Sequence, residues 1–81
     1  MTENKQKIAD KLCTALKATR AYSSIDCIRI TAVGHTTDAG HYRDEYAEVY
    51  LKDRGTPYKR IDITADSGIS MIKDIMEALD S

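Results

Sequence analysis

The chain has 81 residues, 42% of them hydrophobic and 31% charged, with a net charge of −1 from 12 basic and 13 acidic side chains. That length supports one domain, 1–81, with a modest core, and the near-neutral balance excludes a global field that would hold it on nucleic acid or an anionic membrane. Tyrosine supplies all five aromatics, so the core has to be aliphatic.

Residues 1–24 carry Lys5, Lys7, Lys11, Lys17 and Arg20 against Glu3 and Asp10, a local excess of three positive charges. This reads as the solvated face of a helix. The amino terminus is polar, with no apolar leader core, and no apolar run nears the ~18 residues of a membrane span. Cys13 and Cys27 then read as reduced thiols of a cytoplasmic protein rather than as a disulfide.

A first helix is predicted over residues 3–20. Ile8, Leu12, Ala15, Leu16 and Thr19 recur at helical spacing, and the lysines largely avoid that stripe. Thr2 is the expected N-cap, and Lys17 and Arg20 suit the carboxyl end of the helix dipole. Cys13, beside the stripe, is expected in the core or at its boundary.

Residues 26–36 read as a strand with Ile28, Ile30 and Ala32 on one face and Cys27, Arg29, Thr31 and Val33 on the other. Residues 37–40 have turn composition, with Gly40 free to take a positive φ. A second strand, 42–52, places Glu45, Ala47, Val49 and Leu51 on one face and Tyr46, Glu48, Tyr50 and Lys52 on the other. Residues 53–55 suggest a three-residue loop closed by Gly55. A third strand, 56–64, follows with Ile61 and Ile63 facing inward, and Pro57 puts it at an edge. Asp66 or Ser67 caps a second helix, 67–80, whose stripe is Ile69, Ile72, Ile75, Met76 and Leu79, flanked by Met71.

The fold expected is α+β: a two-layer sandwich in α-β-β-β-α order. Its three-stranded antiparallel meander runs 1-2-3, with both helices on one face. A slip of one residue would turn the apolar set to the wrong side. The register that keeps it inward opposes Ile28 to Val49, Ile30 to Ala47 and Ala47 to Ile61. A five-residue second loop would set Glu48 against Asp62, which like charges disfavour. In the preferred register Arg29, Glu48 and Arg60 form one row on the outer face. Cys27, Tyr50 and Tyr58 form the next, and Thr31, Tyr46 and Asp62 a third.

Catalytic signals are sparse. His35, His41, Asp38 and Asp44 crowd one loop, but their spacing matches no structural zinc pattern and loop polarity explains them. Cys27 has no base beside it. No phosphate-binding or nucleophile-elbow motif is present. The chain is therefore expected to be no enzyme and to need no cofactor or metal. Tyr and Arg are the residues that anchor protein interfaces. The expected binding surface is accordingly Arg29, Tyr46, Glu48, Tyr50, Tyr58 and Arg60, or an edge strand, with a protein partner or a second copy as homodimer.

In element order, across nearly its whole length, the chain resembles the double-stranded-RNA-binding domain. The resemblance implies the topology and, as the alternative function, nucleic-acid binding. That family opens its second helix with a lysine cluster that grips phosphates, whereas here the segment runs Asp66-Ser67-Gly68-Ile69-Ser70 and offers only Lys73. In size, charge and lack of catalytic residues the chain also resembles small proteins carried by mobile elements, such as anti-CRISPR inhibitors. That likeness implies an inhibitor or adaptor.

Overall fold

The computed structural model describes residues 2–80, the side chain of Thr2 excepted. The elements are α1 (Thr2–Lys17), β1 (Ile25–Thr37), β2 (Gly40–Leu51), β3 (Lys59–Asp62) and α2 (Gly68–Asp80). The strands form one antiparallel sheet in the order β1-β2-β3, so the α+β meander is as expected. The hydroxyl expected of Thr2 as N-cap lies outside the described residues.

Periodicity fixed the register because only one pairing buries the aliphatic set. Ile28 pairs with Val49, Ile30 with Ala47 and Arg29 with Glu48. Across the second ladder Ala47 pairs with Ile61 and Glu48 with Arg60. Ile28, Ala47 and Val49 pack with Ala9, Cys13 and Leu16 of α1 and with Met71 and Ile75 of α2, so both helices lie on this one face. Fully burying each large aliphatic side chain contributes about 1.5–3 kcal/mol, which makes this face the source of stability.

Both helical stripes are rotated from expectation. On α1, Ala15 and Thr19 are exposed, while Ala9 and Cys13 are buried. These two small residues let α1 lie close along β1. Lys5 turns inward as well: its Nζ donates to Glu45 Oε1 at 2.7 Å and to the Ile63 carbonyl at 3.1 Å. The helix stops at Lys17, short of residue 20. There the Thr19 amide and hydroxyl both donate to the Leu16 carbonyl, at 2.9 and 2.7 Å, which satisfies an otherwise orphaned end group. On α2 the buried pair is Met71 and Ile75, and Ile69 is 83% exposed. Ser67 is the N-cap, its hydroxyl accepting from the Ser70 amide at 3.2 Å. Gly68 follows, where any Cβ would run into the Ile8 side chain. The start of α2 therefore sits tight against α1.

Ile25 also reaches the core, although its odd number puts it out of phase with Ile28. A bulge between Ile25 and Cys27 supplies the extra residue. The carbonyl of the bulged Asp26 accepts from the Cys13 thiol at 3.6 Å. Burial pushes that thiol above its ordinary 9.0, against a smaller lowering by Lys17, so it stays a protonated donor.

The β1–β2 hairpin outruns everything packed on it. β3 pairs only with residues 46–49, and all side chains from 32 to 43 are exposed except the half-buried His35. Six residue pairs, Ala32–Glu45 to Thr37–Gly40, thus form a two-stranded arm, about 20 Å long at ~3.3 Å per residue. The radius of gyration is 13.4 Å and the longest extent 48 Å, against about 11.7 Å for a compact chain of this length. At the tip Thr37 pairs with Gly40, a tighter closure than the four-residue turn expected. Gly40 does take a positive φ, 128°.

Candidate functional site

The sheet face away from the helices carries the odd residues of β1 and the even residues of β2 and β3. Five of the six residues expected to bind a partner meet there. Glu48 is the hub: its Oε1 accepts from the Tyr50 hydroxyl at 3.3 Å, and its Oε2 lies 3.6 Å from Arg60 Nε. The Arg60 guanidinium in turn sits 4.0 Å above the centre of the Tyr46 ring. Tyr50, Glu48, Arg60 and Tyr46 therefore form one connected chain. Each link is worth about 1 kcal/mol or less at an exposed site. Their combined effect is to hold four long side chains in one arrangement rather than to stabilise the fold.

Arg29 takes its expected place in a row with Glu48 and Arg60, an acid between two bases. It pairs with Glu48 through the backbone, yet among the described residues its guanidinium makes no ion pair. It stands exposed beside the chain just described. The Thr31 hydroxyl is buried without a partner on the same face. Asp62, at the far side, accepts from the Thr64 hydroxyl and amide at 2.6 and 2.9 Å. Those bonds hold its carboxyl below the ordinary 3.8.

Tyr58 is not part of this face. The second ladder ends at Val49–Lys59, and the Tyr58 amide donates to the Val49 carbonyl at 2.7 Å, one residue out of register. That slip, next to a Pro57 that has no N–H to donate, turns the ring away. Tyr58 instead lines a cavity of about 240 Å³ with Tyr22, Ile25, Leu51 and Leu79. The Lys59 ammonium lies 5.4 Å from its ring centre. The strand expected from residue 56 accordingly begins at Lys59, and no Tyr50–Tyr58 pair forms.

The histidine cluster is divided by strand alternation. His35 lies on the outer face, stacked on Tyr42 at 4.8 Å and with Nε2 2.9 Å from Asp44 Oδ2. His41 pairs with Thr36 on the opposite face, its Nδ1 3.1 Å from the Thr36 hydroxyl. Among the described residues no group of His, Cys, Asp or Glu is arranged to hold a metal ion. His35, Tyr42 and Asp44 extend the outer face onto the arm, in line with the alternation of the strands expected over 26–36 and 42–52.

Two backbone caps carried no sequence signal. Gln6 of α1 donates from Nε2 to the Ile28 carbonyl at 2.9 Å and accepts the Ile30 amide on Oε1 at 2.8 Å. One side chain thus occupies the open edge of β1 as a neighbouring strand would. Thr64 does the same for β2 where β3 ends, accepting the Glu45 amide at 3.0 Å.

Compared with known protein families, characterised proteins and solved structures, the chain finds no match. No helix among the described residues is long and apolar enough to cross a membrane.

Proposed function

We propose that the chain is a non-catalytic protein-interaction module whose binding surface is the helix-free sheet face around Arg29, Tyr46, Glu48, Tyr50 and Arg60. The observation that carries this reading is the connected Tyr50–Glu48–Arg60–Tyr46 arrangement beside an Arg29 that has no ion partner among the described residues. Side chains ordered before binding avoid about 0.5–1.5 kcal/mol each of ordering cost when a partner arrives. Arg29 offers a planar fork to a carboxylate of that partner. An inhibitor or adaptor of the anti-CRISPR type is one role such a face would serve.

Nucleic-acid binding is the less supported reading. Glu48 and Asp62 interrupt the aromatic surface, and α2 carries a single cation, Lys73, past its first turn. Phosphate contacts, which dominate such affinity, would be few.

The test is a Tyr46→Ala/Tyr50→Ala variant of the intact chain. It should keep the circular-dichroism spectrum and lose at least about 30-fold in affinity for a protein that the wild type captures, as expected when two aromatic anchors go. Equal affinity in a folded variant would remove this face from the account. A salt titration with RNA and DNA separates the classes. Micromolar binding that falls steeply with salt would favour the nucleic-acid reading, and a flat response at low salt would eliminate it.

A further inference from the structure

Strand β1 is an edge along its whole length, and its two halves are treated differently. Near the body the bulge at Asp26 and the Gln6 side chain close the edge, the kind of protection that keeps sheets from pairing with one another. The Gln6 bonds also reveal the phase of the strand: the backbone groups of even-numbered residues face outward there. Continued along the arm, that phase turns the N–H and C=O groups of Ala32, Gly34 and Thr36 outward. No hydrogen bond reaches them among the described residues. Nothing lies within 4 Å of where a Gly34 side chain would be.

We propose that this open half of β1 pairs with the same segment of a second copy, antiparallel about Gly34, to give one six-stranded sheet. The partner is a second copy because the segment is complementary to itself. About Gly34, Ala32 opposes Thr36 and Val33 opposes His35, all neutral or β-branched neighbours with no like charges facing. Gln6 excludes a register shifted toward the body, which would need the groups of Ile28. A shift toward the tip would run into the turn after Thr37. In the remaining register, residues 31–37 of each copy pair. The turn residue Asp38 of each then stands beside Arg29 of the other, the guanidinium that has no ion partner among the described residues. The two bodies lie at opposite ends, and Val33 and Tyr42, both substantially exposed, gain apolar cover. The inference rests on the interaction-module reading but uses the arm edge instead of the Tyr46–Tyr50 surface, with Arg29 common to both.

Sedimentation equilibrium of the intact chain should show a reversible monomer–dimer exchange between about 10 μM and 1 mM, as suits an interface at the small end of the range. Gly34→Pro removes an outward N–H and leaves the β1–β2 ladder its bonds. It should give a folded monomer. Arg29→Glu should weaken association about tenfold, and adding Asp38→Lys should restore it. Independently of those variants, Gly34→Cys in a Cys27→Ser background should cross-link to itself on mild oxidation, because residues paired across the two-fold fall within disulfide range. Thr36→Cys, which opposes Ala32, should not. A monomer throughout the concentration range, a folded Gly34→Pro dimer, or cross-linking at 36 and not at 34 would overturn the proposal. An intact dimer in Tyr46→Ala/Tyr50→Ala that fails to capture a partner keeps the two surfaces distinct.

Discussion

The two halves of the β1–β2 hairpin are made from the same kind of sequence, yet they sit in opposite environments. In the body half, Ile28, Ala47 and Val49 are buried under two helices, and the outward edge is closed by Gln6. In the arm half, Ala32, Val33, Gly34, Arg43 and Tyr42 are all exposed. The arm is held by its own ladder, the His35–Tyr42 stack and the His35–Asp44 contact. An isolated two-stranded ribbon is marginal in water, so stability belongs to the body and the arm is the less stable half. Surfaces that meet partners are drawn from the less stable parts of a fold.

The largest break in this comparison comes from the core. Ile28→Ala or Ile75→Ala should cost about 2–5 kcal/mol in chemical denaturation, whereas Val33→Ala on the arm should cost under about 1 kcal/mol. Similar losses at both sites would erase the division. Gln6→Ala comes next. It strands the Ile28 carbonyl and the Ile30 amide, for about 1–3 kcal/mol, and should add self-association through the body edge. Lys5→Ala belongs in the same range, because Glu45, with its side chain 16% exposed, loses its cation.

Gly40→Val acts within the arm alone. A β-branched side chain at φ 128° should cost about 1–3 kcal/mol, read as faster amide exchange in residues 32–43 with the global midpoint little moved. The smallest effect is acid dependence. Asp62 is held below 3.8 by Thr64, so its contribution is present above 3.8 and lost as pH falls through the lower folded value. Asp66 runs the other way. A hydrogen bond with Asp74, together with burial and repulsion by Asp74, raises its carboxyl above 3.8. Its contribution grows as pH falls and is lost as pH rises through the folded value. Thr64→Val should therefore make the chain less acid-sensitive in denaturation between neutral pH and about pH 2, and Asp74→Asn should remove part of the opposing trend.

Most of the body was legible in the chain because period-two alternation at 28/30, 47/49 and 61/63 admits one register. What escaped depends on contacts that alternation does not encode. The rotation of α1 follows from Ala9 and Cys13 being small enough for close approach, while an equally periodic stripe through Ala15 and Thr19 faces water. Ile25 is core only because of the bulge at Asp26. Tyr58 left the outer face through a one-residue slip at the end of a short ladder, with Pro57 as its only sequence warning. The candidate face was legible as Arg29, Tyr46, Glu48, Tyr50 and Arg60. Its internal links, and the lack of an ion partner for Arg29 among the described residues, required side-chain geometry.

Residue-resolved amide hydrogen exchange on the intact chain at low micromolar concentration tests the divided hairpin most directly. The Ile30 amide, held by Gln6, should be protected at least about 100-fold more than the outward amides of Gly34 and Thr36 two and three turns of the pleat further on, and Gln6→Ala should abolish that difference. Equal protection at Ile30 and Gly34 in the wild type, or no change in Gln6→Ala, would contradict it.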